Sequence, residues 1–233
     1  MARKTVFITG TDTEVGKTMV SAALLYAAAR AGYRTLALKP VAAGCEETAE
    51  GLRNDDALML QAAMTEQLSY SQVNPVALAE AIAPHVAAVN AGVRLSVQRL
   101  AGFCRGVMLK PADFLLIEGA GGWRVPLNER ESYAGLPVEL ACQVILVVDL
   151  RLGAINHALL TAEAIRRDGL QLIGWVANRA SPLPMQAEAQ TLAFLAQALG
   201  APLLAELPHQ TQSDPRALAQ YIDDQVMRDL IEN

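Results

Sequence analysis

A glycine-bounded loop joins a short apolar run to a helical pattern near the start of the sequence. The run at residues 6–9 leads into Gly10, and the helical pattern opens at Gly16 with Lys17 and Thr18. Backbone N–H groups at a helix N-terminus favour a negative charge, and a glycine lets them close around phosphate oxygens. A lysine there adds a cation near the terminal phosphates, and a threonine hydroxyl can ligate Mg²⁺. This order of strand, loop and helix predicts a phosphate-binding loop for ATP.

The loop is one residue longer than the common phosphate loop, because five residues separate Gly10 from Gly16. We predict nucleotide contacts from its last residues, Glu14 and Val15, and from Met19 at the start of the helix. An ordinary turn followed by a chance Gly-Lys-Thr is the alternative. The strand before the loop and the helix after it disfavour that alternative.

Short apolar runs alternate with longer helical patterns along the whole sequence. The predicted strands are 5–9, 35–38, 113–117, 143–149, 172–177 and 203–206. The predicted helices are 17–31, 54–64, 96–109, 155–167, 185–199 and 215–231, and the stretch 69–92 is less regular. Alternation of this kind predicts one α/β domain over residues 1–233, a P-loop NTPase fold with a mainly parallel, doubly wound sheet and helices on both faces.

Composition excludes several classes of partner. The formal net charge is −5 with no run of Lys or Arg, which disfavours nucleic acid and anionic membrane surfaces. The longest apolar runs, 114–117 and 144–148, are too short to span a bilayer. No apolar signal-peptide core follows the start, so we expect a cytoplasmic protein. The three cysteines and three histidines are scattered, so we expect reduced thiols and no Cys or His metal site.

The apolar run 114–117 ends abruptly in a carboxylate, Glu118. Three small residues follow it: Gly119, Ala120 and Gly121. A carboxylate at the end of a buried strand near the phosphate loop is placed to be a second Mg²⁺ ligand, and small residues let the chain pass close to a nucleotide. A strand-end glutamate that faces solvent is the alternative. We assign Glu118 and the residues after it to the nucleotide and metal site.

Two further charged residues stand beside predicted elements. Asp56 lies in the first turn of helix 54–64, where it is a third candidate for Mg²⁺ and for the nucleotide. Capping of that helix explains Asp56 equally well. Lys39 follows strand 35–38, at the sheet edge where ligands of doubly wound folds gather. The residues alone do not separate a functional Lys39 from a snorkelling one.

The motifs in combination resemble those of ATP-dependent dethiobiotin synthetases. The matching segments, in family order, are Gly10-Thr11-Asp12-Thr13-Glu14-Val15-Gly16-Lys17-Thr18, Lys39-Pro40-Val41, Glu50-Gly51-Leu52-Arg53-Asn54, Glu118-Gly119-Ala120-Gly121-Gly122-Trp123, Ile155-Asn156-His157 and Gly174-Trp175-Val176-Ala177-Asn178. They run from the first strand to the later part of the chain, so the resemblance is more specific than a shared phosphate loop.

The resemblance implies a reaction with ATP, Mg²⁺, CO₂ or bicarbonate and 7,8-diaminononanoate. In this family one amine becomes a carbamate, which takes the γ-phosphoryl group of ATP. The second amine then closes a cyclic urea with loss of phosphate, in the penultimate step of biotin synthesis. Family members act as homodimers in which the second chain holds the distal carboxylate of the substrate.

Site roles also follow from the resemblance. Lys39 is implied as a catalytic residue that, with Lys17, stabilises the carbamate and the transferring phosphoryl group. The substrate-side positions are Thr13, Ala43 and Asn156. The nucleotide-base positions are Asn178, Pro208 and His209. Thr11 stays open between facing the substrate and stabilising the turn, and a helix cap is the alternative for Asn156.

Three positions depart from the family pattern: Ala43 stands where many members have Ser, Arg179 where Asp is usual, and Ala189 near a Tyr. Two of these concern the diamine and one concerns the base. Losing one neutral hydrogen bond costs about 1 kcal/mol, which would weaken binding without abolishing the chemistry. The departures therefore fit either altered affinity or a paralogue with another substrate.

Other functions stay open beside the synthetase. A partition-type switch ATPase shares this fold but carries a lysine early in the loop, where this sequence has Asp12. A carboxylate there cannot neutralise the γ-phosphate of a partner chain. A related carboxylate- or amide-activating ligase and a nucleotide-binding paralogue without ligase activity are the remaining alternatives.

Overall fold

The computed structural model describes residues 3–212 and 214–233, and these ranges contain ten strands and ten α-helices. The strands are β1 (Lys4–Gly10), β2 (Thr35–Leu38), β3 (Val41–Ala43), β4 (Glu46–Thr48), β5 (Gly51–Arg53), β6 (Val76–Leu78), β7 (Phe114–Gly122), β8 (Gln143–Asp149), β9 (Leu172–Asn178) and β10 (Leu203–Leu207). The helices are α1 (Lys17–Arg30), α2 (Asp55–Ala63), α3 (Tyr70–Val73), α4 (Pro84–Asn90), α5 (Val97–Met108), α6 (Gly135–Glu139), α7 (Ala154–Arg167), α8 (Glu188–Ala198), α9 (Pro215–Leu218) and α10 (Asp224–Glu232). Among the described helices, none is both long and apolar enough to cross a membrane.

Six strands form one parallel sheet in the order β10-β9-β8-β1-β7-β2. The two central strands are β8 and β1, and Phe7 of β1 lies opposite Ile117 of β7 and Val144 of β8. The strands read as continuous apolar runs because both faces of a parallel sheet are covered by helices. The parallel sheet predicted from the alternation of strands and helices is confirmed.

The two faces of the sheet bury separate apolar clusters. Successive side chains of a strand point to opposite faces. Val6 and Ile8 therefore pack with residues of α1, α2, α9 and α10 on one face. Phe7 packs with residues of α5, α6, α7 and α8 on the other. The doubly wound arrangement is confirmed.

Short elements between the main strands escaped the prediction. Strands β3 and β6 pair in parallel as a second small sheet, and β4 and β5 form an antiparallel hairpin. Strand β7 continues past the predicted end at 117 as far as Gly122. Helix α8 begins at Glu188 and not at 185.

The single helix predicted over 215–231 is wrong. Helix α9 ends at Leu218, a 3₁₀ turn follows over Ala219–Tyr221, and α10 starts afresh. The side chain of Asp223 accepts a hydrogen bond from the backbone N–H of Gln225 and so caps α10. Arg30 of α1 stabilises the break, because its guanidinium donates to the carbonyls of Ala219 and Ile222.

Candidate active site

Loops that follow β1, β2 and β7 meet at the carboxyl edge of the main sheet, because parallel strands end on the same side. A cavity of about 860 Å³ opens there. Predicted residues of the phosphate loop and α1 on its lining are Thr13, Glu14, Gly16, Lys17, Thr18 and Met19. Predicted residues from elsewhere are Lys39, Ala43, Asp56, Ala120 and Gly121. The topology thus brings most of the predicted positions to one place.

Gly16 is fixed by both conformation and space. Its φ of 84° lies in the left-handed region, and it stands at the N-cap of α1. A Cβ at this position would collide with the amide nitrogen of Asn178. That amide nitrogen donates to the carbonyl of Val15 at 2.9 Å. The end of β9 therefore supports the phosphate loop from behind.

Asp12 organises the first half of the phosphate loop. Its Oδ1 accepts from the N–H of Thr13 at 2.8 Å, and its carbonyl accepts from Nζ of Lys17 at 3.0 Å. Its Oδ2 accepts from the guanidinium of Arg151 at 2.8 Å. Arg151 precedes α7, so this ion pair joins the loop to the helix that carries Asn156.

A cluster of four polar side chains lies at the buried end of the cavity. Lys39 Nζ is 2.5 Å from Oε1 of Glu118 and 3.0 Å from Oδ2 of Asp56. The hydroxyl of Thr18 donates to the same Oε1 at 2.8 Å. Lys39 and Glu118 are almost wholly buried, with 4% and 0% exposed, so their charges compensate each other away from water.

Burial and charge act differently on the two lysines of the site. Burial, reinforced by the nearby ammonium of Lys39, lowers the pKa of Lys17 to about 8. Burial opposes the charge on Lys39 as well, but the carboxylates of Glu118 and Asp56 outweigh it and raise the pKa of Lys39. Burial would raise the pKa of Asp56, and the charge of Lys39 outweighs it and lowers that pKa. Lys39 is therefore a fixed cation, whereas Lys17 titrates within the range of an ordinary assay.

The oxygen atoms of this cluster suit a divalent cation. Oε2 of Glu118 is buried and has no hydrogen-bond partner among the described residues. No group of three His, Cys, Asp or Glu side chains in residues 3–212 and 214–233 could hold a metal on its own. Mg²⁺ in nucleotide-binding sites takes only one or two carboxylates and completes its shell with water and phosphate oxygens. Glu118, Asp56 and the Thr18 hydroxyl fit that requirement.

An apolar wall on the cavity was not predicted from the sequence. Residues 81–84, which end at the first residue of α4, line it together with Val125 and Pro126, which follow β7. Ile82 keeps 44% of its surface exposed although it is apolar. Alanine, isoleucine and proline in an irregular stretch give no distinctive pattern, so only the fold reveals that they face the phosphate loop.

The predicted base-side residues lie behind the phosphate loop and not on the cavity. Asn178 is buried and contacts the loop as described, and Pro208 and His209 follow β10. A ring nitrogen of His209 lies 3.1 Å from the carbonyl of Ala180. The guanidinium of Arg179 donates to Glu188 at 2.7 Å. Arg179 is therefore occupied by a carboxylate of α8.

Asn156 is exposed on the first turn of α7 and is absent from the cavity lining described for this chain. It is not the cap of that helix, because the N-cap is Gly153 with a φ of 93°. Ala189 is also exposed, on α8. The structure therefore does not bring Asn156 or Ala189 to the cavity within one chain.

Comparison with known proteins adds a family to this geometry. A family model described as an AAA domain matches residues 4–217. The chain is 59% identical to ATP-dependent dethiobiotin synthetase BioD of Marinobacter nauticus, with all of both chains covered. It is 55% identical to the protein of the same name from Cellvibrio japonicus, over 96% of this chain and 97% of that one.

Solved structures support the fold independently. A chain of the MinC:MinD cell division protein complex of Aquifex aeolicus superposes with a TM-score of 0.62 at 15% identity, covering 99% of this chain and 96% of that one. At that identity the likeness concerns the fold alone. The family predicted from the motifs is confirmed by the full-length matches, and the chain belongs to the family of ATP-dependent dethiobiotin synthetases.

Proposed function

We propose that the protein forms dethiobiotin from 7,8-diaminononanoate, CO₂ and ATP, in the synthesis of biotin. One observation carries the proposal: two ammonium groups and two carboxylates meet beside a phosphate loop, and all but the buried Glu118 line a cavity that also has an apolar wall. Phosphoryl transfer needs positioning and charge neutralisation more than a protein nucleophile. The names of full-length relatives point to the same reaction.

The proposed chemistry has three steps. An amine nitrogen of the substrate bonds to the carbon of CO₂ and loses a proton to solvent, which gives a carbamate. A carbamate oxygen attacks the γ-phosphorus of ATP, and the bond to the bridging oxygen breaks to release ADP. The second amine then attacks the carbamoyl carbon, and phosphate leaves with the electron pair as the ring closes and the amine proton passes to solvent.

The two lysines stabilise charge at different points of this sequence. Lys17 neutralises the β- and γ-phosphates from the loop, and Lys39 faces the carbamate and the transferring phosphoryl oxygens. Thr18, Asp56 and Glu118 would hold Mg²⁺. The cation, when bound, neutralises phosphate charge. A cation held there would give a partner to the buried Oε2 of Glu118, which has none among the described residues.

The remaining cavity accommodates the substrate chain. Its methylene groups lie along the apolar wall around Ile82, and Thr13 faces the polar end. Ala43 lines the cavity but offers no hydroxyl, so it contributes contact without a hydrogen bond. The distal carboxylate is held by Asn156 of a second chain in a homodimer.

The adenine base binds on the far side of the loop, near Asn178, Pro208 and His209. The Asn178 carboxamide supports this placement, because it lies against Gly16 and offers a donor and an acceptor. The guanidinium at the departing position Arg179 is paired with Glu188 and Glu206, so we expect no hydrogen bond from it to the base. We expect the enzyme to work in the cytoplasm, where its three buried, free thiols stay reduced.

A turnover assay tests the function. Purified protein given 7,8-diaminononanoate, bicarbonate, Mg²⁺ and ATP should release one ADP for each dethiobiotin, with little ADP when the diamine is omitted. Lys17→Ala serves as the inactive control, because it removes the loop cation. ADP release without any cyclic urea would show a nucleotide hydrolase and overturn the proposal.

A further inference from the structure

The half-buried Tyr70 and the buried Asn74 form a polar pair outside the set of assigned site residues. They lie four residues apart, at the start and the C-cap of the one-turn helix α3, so they share one side of it. The Tyr70 hydroxyl donates to Oδ1 of Asn74 at 3.0 Å. Asn74 is only 3% exposed, which makes an unsatisfied amide there costly.

The segment around Asn74 binds both backbone polar groups of Lys39. Nδ2 of Asn74 donates to the carbonyl of Lys39 at 2.7 Å and to that of Val76 at 3.2 Å. The N–H of Lys39 donates to the carbonyl of Val73 at 2.8 Å. The strand-end lysine is therefore fixed at its backbone as well as through its ammonium group.

The same tyrosine also holds the start of α2. Its hydroxyl accepts from the N–H of Asn54 at 2.8 Å, and the Asn54 side chain in turn accepts from the N–H of Ala57 to cap α2. The guanidinium of Arg53 lies 4.3 Å from the centre of the Tyr70 ring. The first turn of α2 carries Asp56, the carboxylate that meets Lys39.

We propose that Tyr70 and Asn74 are positioning residues that hold Lys39 and the first turn of α2 in one register. The proposal rests on the synthetase function above. The Tyr70 hydroxyl accepts from the N–H of Asn54 and donates to Asn74, and these two hydrogen bonds form a bridge between α2 and the backbone of Lys39. No atom of this bridge needs to touch substrate. Misplacing a catalytic group by about 1 Å can cost about 100-fold in rate, so a rigid link between Lys39 and Asp56 has kinetic value.

Tyr70→Phe is the mildest test, because it keeps the ring over Arg53 and removes only the bridging hydroxyl. Burial raises the pKa of Tyr70, so the hydroxyl stays protonated in the assay range and its loss removes a real donor. We expect kcat to fall by about tenfold, which corresponds to the loss of one to two half-buried hydrogen bonds, with KM for ATP changed by less than about twofold.

Tyr26→Phe is the matched control. Tyr26 lies on α1, with its hydroxyl 3.5 Å from the carbonyl of Ala62 and its ring under Arg216. Removing only this hydroxyl should leave kcat unchanged. A Tyr70→Phe enzyme as active as the Tyr26→Phe enzyme would overturn the positioning role.

A double-mutant cycle separates positioning from general stability. In an Asp56→Asn chain the pair that Tyr70 positions is already broken, so adding Tyr70→Phe should cost less than about twofold in kcat. Independent, multiplicative losses would show that Tyr70 acts on the fold at large and would contradict the inference.

Hydrogen exchange supplies a readout that needs no turnover. Tyr70→Phe should speed amide exchange at the start of α2 and around Lys39 by about tenfold, with no change near Tyr26. If the wild-type protein makes no dethiobiotin but Tyr70→Phe still speeds exchange at these amides, the proposed function is rejected and the bridge is still supported. Unchanged exchange together with unchanged kcat would reject the bridge itself.

Discussion

Lys17 and Lys39 show how neighbouring groups decide the charge of a buried side chain. Both ammonium groups are buried, and each is repelled by the other. Lys39 faces Glu118 and Asp56 directly and has a raised pKa, whereas Lys17 rests on a neutral carbonyl of Asp12 and has a pKa of about 8. Lys17, the cation that we propose binds phosphate, is thus the one whose charge is incompletely compensated in the absence of phosphate.

Nucleotide affinity should depend on pH through Lys17. Bound phosphates favour the charged ammonium and raise its pKa above about 8, so binding takes up no proton at about pH 7 and close to one at about pH 9. ADP affinity should fall by about tenfold per pH unit above the pKa of Lys17 in the free protein. Calorimetry with a chelator present measures this affinity, and buffers of different ionisation enthalpy reveal the proton uptake.

Lys17→Arg controls for this titration, since a guanidinium stays charged over the whole range. The arginine variant should bind ADP more weakly or equally, but without the alkaline loss. A wild-type affinity that is flat across the same pH range would show that Lys17 is not the titrating contact.

Substitution can separate the structural role of Lys39 from its proposed catalytic role. Lys39→Met leaves the carboxylate of Glu118 buried without its main partner, which should lower the free energy of unfolding by about 3 kcal/mol. Turnover should fall by at least about 100-fold, because a cation at the reacting oxygens is lost. Adding Glu118→Gln should recover much of the stability, measured by denaturant unfolding, and none of the turnover. A near-normal rate for Lys39→Met would remove the lysine from the mechanism.

At the scale of elements, Arg30 explains why the C-terminal region is two helices and not one. From α1 its guanidinium donates to the carbonyls of Ala219 and Ile222, at 2.8 and 2.6 Å, and it pairs with Asp224. These carbonyls would otherwise serve helix hydrogen bonds. The helical pattern over 215–231 depends only on residues within that stretch. Arg30, which favours the break, lies almost 200 positions earlier, so the local pattern could not predict it.

Arg30→Ala should therefore destabilise the chain through α9 and α10. Two buried or half-buried carbonyls lose a charged donor, which we expect to cost about 2 kcal/mol. In a chain of this size that is a fall of about 4–8 °C in Tm. Arg228→Ala, which removes an exposed arginine of α10 bonded to Gln225, is the control and should change Tm little. Equal melting of both variants would refute the role given to Arg30.

The short elements were missed for a related reason. Helix α3 has four residues, too few to show a period, and β3 and β6 have three each. Such pieces are stable only because neighbours satisfy their polar groups, as Asn74 does for the carbonyl of Val76 in β6. The long elements needed no such help to be predicted, since their apolar spacing alone indicates strand or helix.

For the whole molecule, the alternation of strands and helices was enough to predict the sheet and the edge where the site forms. Lys17, Lys39, Asp56 and Glu118 come together at that edge, because Lys17 and Asp56 lie in the first turns of helices, Lys39 follows β2 and Glu118 lies in the second half of β7. The apolar wall at 81–84 and the bridge through Tyr70 depend on tertiary contacts between irregular segments. Their residue types occur throughout the chain, so the sequence alone could not single them out.

We propose that a second copy of the chain binds beside the start of α7. Asn156 and Leu160 of α7 are exposed, and so is Leu152, which precedes the N-cap of that helix; 93% of Leu152 and 56% of Leu160 are accessible. The exposed leucines support the proposal, because contact with another chain would remove their apolar surface from water. Arg151 connects this surface to the phosphate loop through Asp12, so a partner bound here would lie next to the site.

Mixing two inactive variants tests whether the site is shared between chains. In a homodimer with Asn156 acting across the interface, a Lys39→Met chain still lends an intact Asn156 to its partner, and an Asn156→Ala chain keeps an intact phosphate site. Random pairing makes half of the dimers mixed, each with one complete site, so turnover at low diamine concentration should recover to about a quarter of the wild-type value. Lys39→Met mixed with Lys17→Ala places both defects in the same half-site and should recover nothing. If the first mixture gives only the sum of its parents, Asn156 acts within its own chain or not at all, and the shared site must be abandoned.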